Sequence, residues 1–150
     1  MSPGGSAQAT AAALGGIDVL INNAGMGGLK PVVEMTDQEW DLVLDVTLTG
    51  TMRMTRAALR KMIPRRRGVM VNNASVLGWR AQKGQSHYAA AKAGVMAFTR
   101  CSALEAAEHG IRINAVLSGG TRTPMLRAAM DNDPGLEPAL AAVHPMNRFG

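Results

Sequence analysis

Val69-Met70-Val71-Asn72-Asn73-Ala74-Ser75, a loop, and then Tyr88-Ala89-Ala90-Ala91-Lys92 form the stretch on which the reading of the fold turns. The apolar run predicts a strand that ends near Ser75, and the alanine-rich segment predicts the start of a helix at Gln85 or Ser86. A helix repeats every 3.6 residues, so a tyrosine and a lysine four apart project from one face. The spacing places an ammonium beside a phenol. A free tyrosine titrates near pH ~10, and a neighbouring positive charge favours its phenolate and makes the hydroxyl a usable proton donor and acceptor. Tyr88 is thus a candidate acid or base, with Lys92 tuning it. The same spacing also occurs where a tyrosine merely packs and a lysine is solvated, so the surroundings decide.

Outward from this stretch, strand and helix patterns alternate. Toward the N-terminus, Thr36 followed three residues later by Glu39 is a capping box. The helix it opens runs to about Met62 and stops before Pro64, with Trp40, Val43, Leu44, Thr47, Leu48, Met52, Thr55 and Leu59 as its apolar stripe. Before it, Ile17 to Asn22 predicts a strand buried on both faces, and Ser6 to Leu14 a weak helix closing at Gly15-Gly16. Toward the C-terminus, the Tyr88 helix continues to Gly110, and Ile111 to Leu117 predicts a third strand. Short helices follow at about Pro124 to Met130 and Glu137 to Val143.

This alternation predicts an α/β fold, a parallel sheet with crossover helices, in one domain with a core over 16–122 and a tail over 123–150. Ligands of such sheets bind outside the carboxyl ends of the strands. Asn22 to Gly25, Asn72 to Ser75 and Ser118 to Thr123 all lie there.

Composition excludes other classes. Of the 150 residues 47% are apolar, ordinary for a globular domain, and the net charge of +5 is concentrated at Arg60, Lys61 and Arg65 to Arg67. That cluster reads as a solvated helix end, and few aromatic platforms accompany it, so no nucleic-acid partner is expected. Cys101, the only cysteine, is expected to be a small buried hydrophobe. His87 and His144 are expected to have local hydrogen-bonding roles, and no metal-ligand spacing appears. No apolar run has membrane-spanning length and the N-terminus lacks a leader pattern, so the expectation is a cytoplasmic protein with no membrane contact.

Asn22-Asn23-Ala24-Gly25 after an apolar strand, Ser75 thirteen residues before Tyr88, Tyr88 four before Lys92, and the segments Asn114 to Val116 and Thr123 to Met125 together resemble the short-chain dehydrogenase/reductase family. The resemblance implies an oxidoreductase that uses NAD or NADP to interconvert a small-molecule secondary alcohol and a ketone. It implies that Tyr88 exchanges the proton, that Ser75 holds the substrate oxygen, and that Lys92 lowers the tyrosine pKa and holds the nicotinamide ribose. Asn22, Ala24, Gly25, Gly119 and Thr123 fall at cofactor-side positions, and homo-oligomerisation through the two long helices is implied as well.

Three departures from the family pattern qualify this. Thr47, in Val46-Thr47-Leu48-Thr49-Gly50, stands where the family carries an asparagine that holds a proton-relay water, and Ser118-Gly119 replaces Pro-Gly. The third is the lack of a glycine-rich turn between a first strand and first helix. Gly25-Met26-Gly27-Gly28 precedes no helix N-terminus and does not replace it. The expectation is therefore a partial Rossmann-like fold lacking the N-terminal dinucleotide-binding strands, a truncated form of such an enzyme. Two successive right-handed crossovers in one direction put both helices on one face of the sheet, and the apolar other face is then expected to be only partly covered, by the Ser6 to Leu14 helix or the C-terminal tail. The alternatives are an enzyme completed by a second polypeptide and a non-catalytic interaction fragment.

Overall fold

In a computed structural model, the described residues are 15–123, 126–127, 130–131, 133 and 135–148. Three strands, β1 (Val19–Asn22), β2 (Gly68–Asn73) and β3 (Ile111–Val116), pair in parallel in the order β1-β2-β3. The register sets Asn22 opposite Asn72 and Asn72 opposite Ala115. The first crossover is α1 (Asp37–Leu44), a π-helical turn (Asp45–Thr49) and α2 (Gly50–Met62); the second is α3 (Ser86–Ala107). Chain packing separates two compact units, with the boundary after Leu117. In the second unit, α4 (Leu136–Ala142) is joined to the loop before it by an Arg122–Glu137 ion pair. The expected helix at Ser6 to Leu14 lies outside the described residues, as does part of the one at Pro124 to Met130.

Local chemistry explains these elements. The capping box forms: the Glu39 N–H donates to Thr36 Oγ1 and the Thr36 N–H to the Glu39 carboxylate, satisfying two of the orphan donors at the start of α1. Those bonds also hold the Glu39 carboxyl below its ordinary pKa. At the other end, Arg66 takes a left-handed turn with φ 48° and closes the helix before β2.

The core lies on one face of the sheet, where Ile17, Met70, Ile111 and Ile113 meet Ala58 and Met62 of α2 and Ala106 of α3. The expectation that β1 is buried on both faces is corrected: Val19 is 59% and Ile21 65% exposed, because both crossover helices pack on the opposite side. The basic cluster is more than a solvated helix end. Arg65 and Arg67 pair with Asp18 at the start of β1, and Arg66 donates to the Glu108 carbonyl beyond α3. Cys101 is exposed, contrary to its expected burial, because α3 turns Ala91, Val95, Thr99, Ser102 and Ala106 inward and Cys101 falls outside that stripe.

Candidate active site

The carboxyl end of β2 carries the site. Past Asn73 the chain turns through Ala74 into Ser75, whose hydroxyl oxygen accepts the Leu77 N–H at 3.2 Å and opens a short 3₁₀ turn over Val76–Gly78. The Ser75 hydroxyl also acts on the Tyr88 phenol, in the direction that favours its ionised form. Lys92 follows one turn along α3, 3% exposed, with its ammonium donating to the Asn73 carbonyl. No carboxylate pairs with it among the described residues.

The electrostatics differ from the expectation that Lys92 lowers the tyrosine pKa. Lys92 Nζ lies 5.5 Å from the centroid of the Tyr88 ring and spends its hydrogen bond on a backbone carbonyl. Burial pushes the phenol above its ordinary value, and only the Ser75 bond pulls it back. Burial also lowers the Lys92 ammonium, since its charged form is the one that loses water.

Glycines allow the loop after β1 to lie on these groups. A Cβ on Gly25 would sit 3.4 Å from Lys92 Nζ and 3.6 Å from Thr47 Oγ1, and one on Gly27 would sit 2.8 Å from Tyr88 Cδ2. Gly25-Met26-Gly27-Gly28 is thus fitted to the first turns of α3. Thr47, 1% exposed in the π-helical turn, clamps the same loop: its hydroxyl donates to the Met26 carbonyl at 3.3 Å and accepts the Met26 N–H at 3.2 Å.

Asn22, Gly25, Thr47, Ser75, Tyr88 and Lys92 are therefore gathered at the strand ends. Asn22 is committed to the interior, with its amide donating to Asn72 at 2.8 Å and Thr55 at 3.1 Å. Ala24 is exposed and, with Asn22, Asn23 and Arg53, lines a cleft of about 430 Å³ along β1. Gly119 and Thr123 belong to the second unit, where Thr123 Oγ1 accepts the Leu126 N–H at 3.3 Å.

Some of what supports the site was placed at the strand ends from the sequence but given no role of its own. Asn72, fully buried, donates to Thr99 Oγ1 at 2.8 Å, so one amide ties β1, β2 and α3 together. Its position in a strand that otherwise buries apolar residues at alternate places was the available signal. His87, 2% exposed, has no partner for Nδ1 among the described residues, where a local hydrogen bond was expected; His144 makes one, to the Leu140 carbonyl.

Known proteins resemble this chain in sequence and fold. Over 110 residues the chain is 69% identical to (5R,7aS)-5-hydroxy-7a-methyl-1-oxo-2,3,5,6,7,7a-hexahydro-1H-indene-carboxyl-CoA reductase of Mycobacterium tuberculosis, covering 73% of this chain and 42% of that protein. A short chain dehydrogenase solved from Mycobacterium smegmatis is 64% identical with a TM-score of 0.75, covering 77% of this chain and 49% of its own. An actinorhodin polyketide ketoreductase solved with NADPH is 32% identical with a TM-score of 0.92, covering 99% of this chain and 60% of its own. The chain spans about half the length of these relatives. A family model described as short chain dehydrogenase matches residues 6–134, the span that holds β1 to β3 and the Ser75, Tyr88 and Lys92 constellation, and the chain belongs to that family.

Proposed function

We propose that this chain carries the proton-transfer side of an oxidoreductase site that moves hydride between NAD(P) and a secondary alcohol or ketone. The observation that carries the reading is the meeting of the Tyr88 phenol, the Ser75 hydroxyl and a buried Lys92 ammonium at the end of β2. In ketone reduction the phenol gives its proton to the substrate oxygen, which Ser75 holds; in oxidation the proton returns. Bound NAD(P) supplies or accepts the hydride.

Lys92 fits the ribose of that cofactor: it is a buried cation with a neutral carbonyl as its partner and two further N–H donors for hydroxyl groups. Asn22 braces the strand end from which Ala24 and Gly25 face the cofactor, and Gly119 and Thr123 are assigned to the nicotinamide side. Thr47 acts as a positioning residue, since its proton goes to Met26. The pyrophosphate is assigned to a glycine-rich turn on a further segment of the protein or on another polypeptide, because Gly25 and Gly27 are already packed on Lys92 and Tyr88. The name of the M. tuberculosis relative suggests the substrate class, a fused-ring alcohol or ketone carried as a CoA thioester. A homo-oligomer built through α1–α2 and α3 belongs to the same reading.

A second reading, a non-catalytic interaction fragment, is favoured by the exposure of Val19, Ile21 and Val116 on one face of the sheet. The test is reduction of a fused-ring ketone by NADH or NADPH, with the chain supplied with a relative's N-terminal segment. Tyr88→Phe is expected to lower kcat by about 10²–10⁴-fold with the fold intact, the usual worth of a positioned acid. The interaction reading gives no turnover in either protein.

A further inference from the structure

We propose that the loop from Trp79 to Gln85 is the landing site for the nucleotide end of a CoA thioester, with the Trp79 indole stacking on the adenine and Arg80 and Lys83 taking its phosphates. The inference rests on the thioester reading above and adds the residues that would select it.

Position comes first. The loop is strung between the two groups that hold the substrate oxygen, beginning four residues after Ser75 and ending three before Tyr88. The loop is therefore next in the chain to both groups that would meet the carbonyl-bearing ring of such a thioester. The backbone there is pinned. The Trp79 and Arg80 N–H groups both donate to the Val76 carbonyl, at 3.2 and 2.9 Å, and the Gln85 N–H donates to the Gln82 carbonyl at 3.2 Å. Gly84 takes φ 77° and its carbonyl accepts the Lys30 N–H at 2.8 Å, binding the loop to the segment after β1. The side chains are thus offered from a held scaffold.

Their chemistry matches a phosphorylated adenosine. Trp79 is 73% exposed in a chain with only five Phe, Trp and Tyr residues, and a solvent-facing indole is a flat stacking surface for a base. Arg80 and Lys83 are exposed and pair with no carboxylate among the described residues, whereas Lys30 on the same rim is paired with Glu39 at 3.5 Å. From Val46 to Leu104 the sequence holds eleven Lys and Arg residues and no Asp or Glu. Nothing in that span competes for the two free cations. A guanidinium one residue and an ammonium four residues beyond an indole suit phosphate oxygens and a purine.

Trp40→Phe leaves Trp79 as the only indole, so its fluorescence reports the loop in the full 150-residue chain. Coenzyme A and adenosine 3′,5′-bisphosphate are expected to quench it, pantetheine is not, and added salt is expected to weaken both complexes. Arg80→Ala with Lys83→Ala is expected to weaken coenzyme A about tenfold or more, as lost charge-assisted bonds do, while Lys61→Ala on α2 leaves it unchanged. Absence of quenching, equal quenching by pantetheine, displacement by NADH, or full affinity in the double variant overturns the proposal. Its failure is separable from that of the hydride-transfer reading. Tyr88-dependent turnover of a CoA-free ketone without coenzyme A binding overturns this inference alone, and coenzyme A binding in a chain whose turnover ignores Tyr88 upholds it while the other falls.

Discussion

Tyr88 and Lys92 show how far residue spacing reaches. The four-residue interval correctly puts both on one face of α3, but the direction of the tyrosine shift depends on where the ammonium ends up, which spacing does not contain. In the fold Lys92 sits over the ring and bonds to Asn73, so desolvation dominates both groups. The two shifts oppose each other in stability. Lys92 has a folded-state pKa below its ordinary 10.5, so the unfolded chain binds the extra proton, and stability rises with pH from the folded value up to 10.5. Tyr88 has a folded-state pKa above its ordinary 10.0; its contribution is present below 10.0 and is lost as pH rises through the folded value. Because Lys92→Met removes only the first term, wild type is expected to gain on the variant in denaturant midpoint as pH approaches 10.5. A gap independent of pH would contradict the desolvation of Lys92.

At the scale of elements, the capping box, the strand ends and both crossover helices were legible, because each depends on a local pattern. The stripe of the first crossover was legible in part. Val43, Thr47 and Thr55 are buried as expected, whereas Leu48, Met52 and Leu59 are only half-buried and Thr51, Ala58 and Met62, outside the expected stripe, are buried as well. Thr51 and Ala58 are small side chains, which a periodicity of large apolar residues passes over. The π-helical turn is closed by the Gly50 N–H on the Asp45 carbonyl, and Thr47 and Thr51, four residues apart, share one face. Thr51 returns its hydroxyl to the Thr47 carbonyl at 2.8 Å, and Thr47 clamps Met26. Thr47→Val keeps the shape and strips both Met26 backbone groups of their partner, at an expected cost of about 1–3 kcal/mol read by chemical denaturation. Asn72→Ala leaves Asn22 and Thr99 short of a buried partner and opens a cavity, for roughly 2–5 kcal/mol. Near-neutral values would mean that the network is not what joins the two crossovers.

For the whole molecule, the one-sided core follows from connectivity. Two right-handed crossovers in the order β1-β2-β3 put α2 and α3 on one face, as the sequence order already implied. Val19, Ile21 and Val116 stand on the strands of that three-stranded sheet, 59%, 65% and 55% exposed. Apolar surface of this kind favours association. The isolated chain is expected to sediment as a concentration-dependent oligomer, and Val19→Lys with Ile21→Lys to remove the part of that association made through the sheet face, giving a smaller assembly with unchanged helix content. A wild-type chain that stays monomeric at every concentration would contradict this. No helix among the described residues is long and apolar enough to cross a membrane.

Tyr88 is the only tyrosine of the chain, so phenolate absorbance during an alkaline titration reads the proposed acid with no other residue in the signal. The site geometry predicts a midpoint above 10.0 in the folded protein, moved further upward in Ser75→Ala because the one bond that favours the phenolate is gone. A midpoint at or below 10.0, or one that Ser75→Ala leaves in place, would contradict the assignment of Ser75 and Tyr88 to a single proton-transfer site.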